Sequence, residues 1–249
     1  APGGFIQACL LIYGDKIRKF YTSSIDSPIK YHKEIKNNTK GHILSADILD
    51  HKTSDVIFNN CPPNGYFLIT ADGAFDVSNN YEDQEKATYD LLFNEIAIAL
   101  SSQTQGGSFI LKLFDCFHPR TWNLIVWLKK CYKEVHICKP PSSRPVNSEK
   151  YCVCINFIKK CSYNPSYNKR IEYPNFRYFF LKKTLEFQIK NLEIVFDHIL
   201  LSEEQGPEND KAREYRYIIA KIGETRYSEC YGKYFTHSLP FFSPATTYQ

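Results

Sequence analysis

The chain has 249 residues, 43% apolar and 23% charged, with a net charge of +4. That is enough for one large α/β domain with an appended element, in the composition range of ordinary globular proteins. A charge this small neither requires nor excludes a nucleic-acid partner. No run approaches the ~18 to 20 apolar residues of a membrane helix, and the start lacks the charged and apolar regions of a signal peptide.

The nine cysteines are odd in number and scattered. None shows C-x-x-C spacing or sits in a zinc-like Cys/His cluster, so buried reduced thiols in a cytosol-like compartment, and no metal, are expected. The first residue is Ala and no Met is present, so residue 1 is read as an interior position of a longer product.

In chain order, Ala1-Pro2-Gly3-Gly4-Phe5 opens a helical segment carrying Ile6, Ala8, Leu10 and Leu11. Two glycines allow close backbone approach to a ligand, and the helix N-terminal amides can face an anion. Strands are expected at 20–25, 41–46 and 66–71, and each is followed directly by an acid: Asp26, Asp47 and Asp72. In open α/β sheets ligands bind beyond the carboxyl ends of strands, and an acid about 20 residues past a Gly-rich turn commonly holds a ribose diol. Asp26 stands at that distance. The loop lacks G-x-G-x-x-G, which argues against a nicotinamide dinucleotide.

Residues 84–101 read as a helix with Leu91, Leu92, Glu95, Ile96, Ala99 and Leu100 on one side, stopped by Gly106-Gly107. A strand follows at 108–114 with Lys112 inside it. Next comes a helix at 119–132 with Leu124, Ile125, Val126 and Leu128, then strands at 135–138 and 151–157. Alternating strands and helices imply a mostly parallel sheet with helices on both faces. From 158 the pattern changes. A basic, Tyr- and Asn-rich stretch to 174 precedes a long helix at 176–201, whose apolar set includes Leu185 and Ile189. A charged loop at 203–210 and a mixed tail follow, and residues 158–249 read as an appendage packing on the core.

Three segments carry chemistry: Ala71-Asp72-Gly73-Ala74-Phe75-Asp76, the run from Gly106 through Lys112 to Asp115, and Lys139-Pro140-Pro141-Ser142-Ser143-Arg144-Pro145-Val146-Asn147-Ser148-Glu149-Lys150-Tyr151. Their order and local sequence resemble the FtsJ-like RNA ribose 2′-O-methyltransferases over residues 1 to about 157. The run ending in Tyr151 is most similar to the cap-1 enzymes of eukaryotes and large DNA viruses.

The resemblance implies a Rossmann-like α/β methyltransferase fold and S-adenosyl-L-methionine as cofactor. It also implies a Lys-Asp-Lys-Glu tetrad, of which Asp72, Lys112 and Glu149 are the last three members. The first lysine and the first strand are expected upstream of residue 1. Cofactor contacts are implied at Gly3, Gly4, Phe5, Asp26, Asp47 and Asp72, with Phe5 standing where some relatives have Trp.

RNA contacts are expected from Lys139, Arg144 and Asn147, because a Pro-stiffened loop beside the site can reach phosphates or a base, and from Arg120, just after the fourth strand. Capped mRNA is the expected substrate and the capping or transcription machinery a further partner. Neither a membrane nor a metal is expected. The Lys-, Asn-, Ile- and Tyr-rich composition points to an AT-rich genome; a cytoplasmically replicating large DNA virus is the expected source, and with it a cytoplasmic location, in a viral factory or virion. A ribosomal or transfer RNA substrate, and a non-catalytic RNA-binding or scaffold role, are the competing expectations.

Overall fold

The computed structural model describes residues 3–25, 31–74, 84–140, 143 and 147–163, together with Lys182, Leu185, Glu186, Ile189, Lys190 and Glu193. The expected site residues Asp26 and Arg144, most of the long helix, the charged loop at 203–210 and the tail lie outside these.

The elements run α1 (Gly4–Tyr13), β1 (Phe20–Ser24), α2 (Lys33–Lys36), β2 (Gly41–Ser45), α3 (His51–Asn59), β3 (Tyr66–Ala71), α4 (Gln84–Ser102), β4 (Gln103–Leu113), α5 (Pro119–Cys131), β5 (Tyr132–Cys138) and β6 (Lys150–Phe157). A 3-10 turn at Gly14–Lys16 closes α1. Local chemistry sets several of these boundaries. Asp50 caps α3 by accepting the Lys52 amide at 3.0 Å. Pro119 starts α5, and His118 Nδ1 accepts the Arg120 amide at 3.2 Å.

The strands form a parallel pair, β1-β2, and a four-stranded sheet in the order β3-β4-β6-β5. β3 and β4 are parallel, whereas β6 runs antiparallel to both β4 and β5. The antiparallel half follows from chain economy. Among the described residues no helix stands between β5 and β6, and a connection of 11 residues (139–149) suits an antiparallel return. Because β6 is reversed, its start lies at the same rim as the ends of β3 and β4.

Strand alternation divides this sheet into two unequal faces. Phe109, Leu111 and Leu113 of β4 and Cys152 and Cys154 of β6 are buried, packed with Trp122, Leu124, Ile125 and Leu128 of α5 and Leu92, Ile96 and Ala99 of α4. The expected α4 stripe is thus the buried face, with Glu95 in it. α5 is buried continuously from Thr121 to Leu128. On the other face Ile110, Lys112, Tyr151 and Val153 are only half-buried. There α1 approaches the rim, where Phe5 meets Tyr151 edge-to-face at 6.0 Å between ring centres.

One boundary expectation is corrected. α4 ends at Ser102, and Gly106-Gly107 lie within β4, where the pairing with β3 shifts register between Tyr66 and Leu68. Gln103 fixes that irregularity. Its amide donates to the carbonyls of Tyr66 (2.8 Å) and Phe67 (3.1 Å), and its oxygen accepts from the Tyr132 hydroxyl at 3.0 Å.

After β6 the chain returns over the helices. Trp127 Nε1 donates to the Cys161 carbonyl at 2.7 Å, and Tyr163 packs on Trp127 and Phe93 at 5.0 and 5.3 Å. The start of the extension is therefore anchored on α4 and α5. Further along, Leu185 and Ile189 are 42% and 53% exposed, so neither forms part of a buried stripe among the described residues.

Candidate active site

The sheet rim assembles the site from three strand ends. Asp72 and Gly73 follow β3, Lys112 is the penultimate residue of β4, and Glu149 immediately precedes β6. Antiparallel pairing sets Tyr151 directly opposite Lys112, so their side chains share the less-covered face. Glu149, two residues before Tyr151, projects the same way and accepts its hydroxyl proton at 3.3 Å.

The Lys112 amine donates to the backbone carbonyl of Asp72. It also lies 5.8 Å from the centre of the Phe114 ring. Tyr151 is held neutral. Burial pushes its phenol up to about 12, and the carboxylates of Glu149 and Asp72 add to the effect. Three of the expected residues, Asp72, Lys112 and Glu149, therefore converge on Tyr151, a residue sequence reasoning did not single out. Strand period held the clue, because positions 149 and 151 must lie on one side.

The second residue missed is Glu95. It is 8% exposed, and its Oε1 accepts the Gly73 amide at 3.1 Å. Burial foremost, with the Asp72 charge adding, raises its pKa to about 7, while the Gly73 amide and Lys112 oppose the rise. Gly73 itself has no room for a side chain. A Cβ there would sit 2.6 Å from Glu95 Oε1 and 3.0 Å from Leu91 Cδ2.

The loop leading to Glu149 is braced by two buried lysines. Lys139, 3% exposed, donates to the Asn147 side-chain oxygen (2.6 Å), the Asn147 carbonyl (2.8 Å), the Glu149 carbonyl (2.9 Å) and the Ser143 hydroxyl (3.1 Å). Ser143 in turn donates to Asn147 at 3.2 Å. Lys150, 2% exposed, donates to the Ser148 carbonyl at 2.7 Å and lies 3.7 Å from Asp115. Two residues expected to touch RNA, Lys139 and Asn147, thus bind each other. These bonds shape the loop and hold the Lys139 amine inside it. Arg120, also expected there, is exposed and stacks its guanidinium on the Tyr89 ring at 4.1 Å.

At the N-terminal loop, Gly3 caps α1 at φ 105, a backbone conformation that favours glycine, and no side chain caps the helix. Space beside Gly4 is open. Asp47 is exposed after β2 and accepts the Leu49 amide at 2.9 Å, which fixes its loop. No group of three or more His, Cys, Asp or Glu residues suited to a metal occurs among the described residues. No described helix is long and apolar enough to cross a membrane.

Comparison with known proteins gives the same frame. Cap-specific mRNA (nucleoside-2′-O-)-methyltransferase 2 of Pongo abelii is 38% identical over 102 residues, covering 41% of this chain and 13% of that protein. The cap-specific mRNA (nucleoside-2′-O-)-methyltransferase of Autographa californica nuclear polyhedrosis virus is 32% identical over 148 residues, 59% of this chain and 53% of the relative. The inactive cap-specific mRNA (nucleoside-2′-O-)-methyltransferase 1B of Caenorhabditis briggsae is 32% identical over 151 residues, 59% and 17% respectively. The chain thus spans about half the length of the viral relative and far less of the others. The FtsJ-like methyltransferase family model matches residues 1–157, and the chain belongs to that family.

Proposed function

We propose that this chain catalyses methyl transfer from S-adenosyl-L-methionine to a ribose 2′-hydroxyl of RNA, and that its substrate is mRNA with a cap-0 end, converted to cap-1. One observation carries the reading. The Lys112 amine is fixed at the open rim of the sheet by the Asp72 carbonyl, and Tyr151 and Glu149 stand beside it across the ladder.

The cofactor loop fits the group it would hold. α1 begins with backbone amides that no side chain caps, open space adjoins Gly4, and Phe5 reaches the Tyr151 ring. Those amides suit a carboxylate, and Asp72 suits an ammonium. Asp47 and Asp26 are the acids assigned to the nucleoside. When bound, S-adenosyl-L-methionine supplies an electrophilic methyl group on a sulfonium.

The chain's own residues prepare the nucleophile. A ribose hydroxyl attacks poorly while it keeps its proton, so a positioned amine that holds the oxygen and takes that proton lowers the barrier. Lys112 has this role. In its unprotonated form the amine would accept the 2′-hydroxyl proton, leaving the oxygen to take the methyl group that the bound cofactor would supply. Asp72 orients Lys112 through its carbonyl, and Glu149 orients the lysine side of the site with Tyr151. Alignment of the two reactants contributes up to ~7 to 11 kcal/mol in well-oriented systems.

A second reading has a specific observation behind it: one relative of similar identity is named inactive. In that reading the chain is a non-catalytic RNA-binding or scaffold subunit. Radiolabelled S-adenosyl-L-methionine separates the two. The protein is incubated with cap-0 RNA, triphosphate RNA and an unrelated structured RNA. Label at the 2′-oxygen of the first nucleotide, on capped RNA alone, supports the cap assignment. Label on the structured RNA moves the substrate to another RNA class. RNA binding with no label on any RNA favours the scaffold.

A further inference from the structure

The peptide group joining Asp72 to Gly73 is gripped from both sides. Its carbonyl accepts from the Lys112 amine on the open face, and its N–H donates to Glu95 Oε1 on the helix-covered face. A trans peptide points these two groups in opposite directions, so the two bonds form one line: Glu95, peptide, Lys112. Hydrogen bonds in such a chain polarise one another, most strongly away from water. Glu95 is 8% exposed, its Oε2 has no hydrogen-bond partner among the described residues, and Gly73 lacks the Cβ that would push the carboxyl away.

We infer that Glu95 is a positioning residue for the methyl-transfer reaction, holding the Asp72–Gly73 peptide so that its carbonyl aims the Lys112 amine at the substrate hydroxyl. The inference rests on the proposed reaction for its catalytic consequence, but the hydrogen-bonded line can be read without it. Glu95 touches neither substrate nor cofactor in this account. It acts through one peptide plane, whose rotation would swing the carbonyl away from Lys112.

The charged groups acting on Glu95 are Asp72 from the end of β3 and Lys112 from β4. Glu95 itself ionises near neutrality, its carboxyl raised to about 7 mainly by burial. An ionised carboxylate grips the Gly73 amide more tightly than a neutral acid does. The peptide, and with it the hold on Lys112, is therefore sensitive to pH.

The test uses the full chain with Glu95→Leu and Glu95→Gln. Leu removes the acceptor, and kcat falls about 10- to 100-fold with KM for RNA and for cofactor unchanged, as expected for a displaced catalytic group. Gln keeps an acceptor and restores most of the turnover. In parallel, the Gly73 amide resonance is followed by NMR from pH 5 to 9, with the Lys112 ε-carbon signal. In the wild type both carry an inflection near pH 7, and in Glu95→Gln both lose it.

A folded Glu95→Leu protein with wild-type kcat overturns the inference. So does a wild-type Gly73 amide that does not respond to pH. Should the Leu variant fail to fold, the comparison of wild type with Gln decides by the same two resonances. A wild type with no methyl transfer on any RNA removes the proposed reaction instead, and the resonances still report whether Glu95 grips the peptide.

Discussion

Glu95→Gln should change how stability responds to pH, and the sign follows from burial. The carboxyl is raised from 4.5 to about 7 in the folded chain. Between those values the folded state keeps a proton that the unfolded state has released. Its contribution to stability is thus complete below 4.5 and is lost as pH rises through about 7. The difference corresponds to about 3 kcal/mol across the window, close to 1.4 kcal/mol per pH unit. Gln resembles the protonated acid at every pH and carries no such loss. Urea unfolding of both proteins at pH 5 and pH 8 measures it. The variant should be near wild type at pH 5 and more stable at pH 8 by up to about 3 kcal/mol. Equal losses in the two proteins between pH 5 and pH 8 would refute the reasoning, because the buried carboxyl would then not be the titrating group.

Three further outcomes follow from the same packing. Gly73→Ala forces a methyl to within 2.6 Å of Glu95 Oε1. The expected cost is about 1 to 3 kcal/mol by thermal unfolding, with a larger loss of turnover than of stability because the Asp72 loop must shift. Lys150→Met leaves the half-buried Asp115 without its ion partner, costing about 1 to 3 kcal/mol, and adding Asp115→Asn should recover part of it in a double-mutant cycle. Lys139→Met strips the amine from the Ser143, Asn147 and Glu149 oxygens and should cost about 1 to 3 kcal/mol. The salt dependence of RNA binding should stay unchanged, as measured by fluorescence anisotropy, if the buried Lys139 amine serves the loop and not a phosphate.

Sequence legibility varied with the kind of physics involved. β3 was readable because Tyr66–Ala71 is a short apolar run between Gly65 and Asp72. The α4 stripe was readable because helical period alone decides which side is buried. The first five residues of β4 were not, since Gln103, Thr104, Gln105, Gly106 and Gly107 carry no strand signal and are held by Gln103 reaching Tyr66, Phe67 and Tyr132. The short helices α2 and α3 also went unnoticed, being polar and dependent on local caps.

At the site, Asp72, Lys112 and Glu149 were expected from motif order, and strand ends bring them to one rim. The inner bonding of the Pro-rich loop was not legible. Its cation and amide read as nucleic-acid ligands, yet tertiary folding turns Lys139 onto Asn147, a pairing invisible in linear order. Glu95 and Lys150 were legible in principle. One is an acid in an apolar stripe, and the other is a lysine in phase with Cys152 and Cys154 on the buried side of β6.

The most direct measurement compares the wild-type chain with Lys112→Ala in a single-turnover reaction with S-adenosyl-L-methionine and cap-0 RNA, with the product digested and the first nucleotide analysed by mass spectrometry. The account predicts a 2′-O-methylated first nucleotide from the wild type and none from Lys112→Ala at matched RNA binding. Equal methylation by both proteins would contradict it, because the amine held by the Asp72 carbonyl would then have no part in the chemistry.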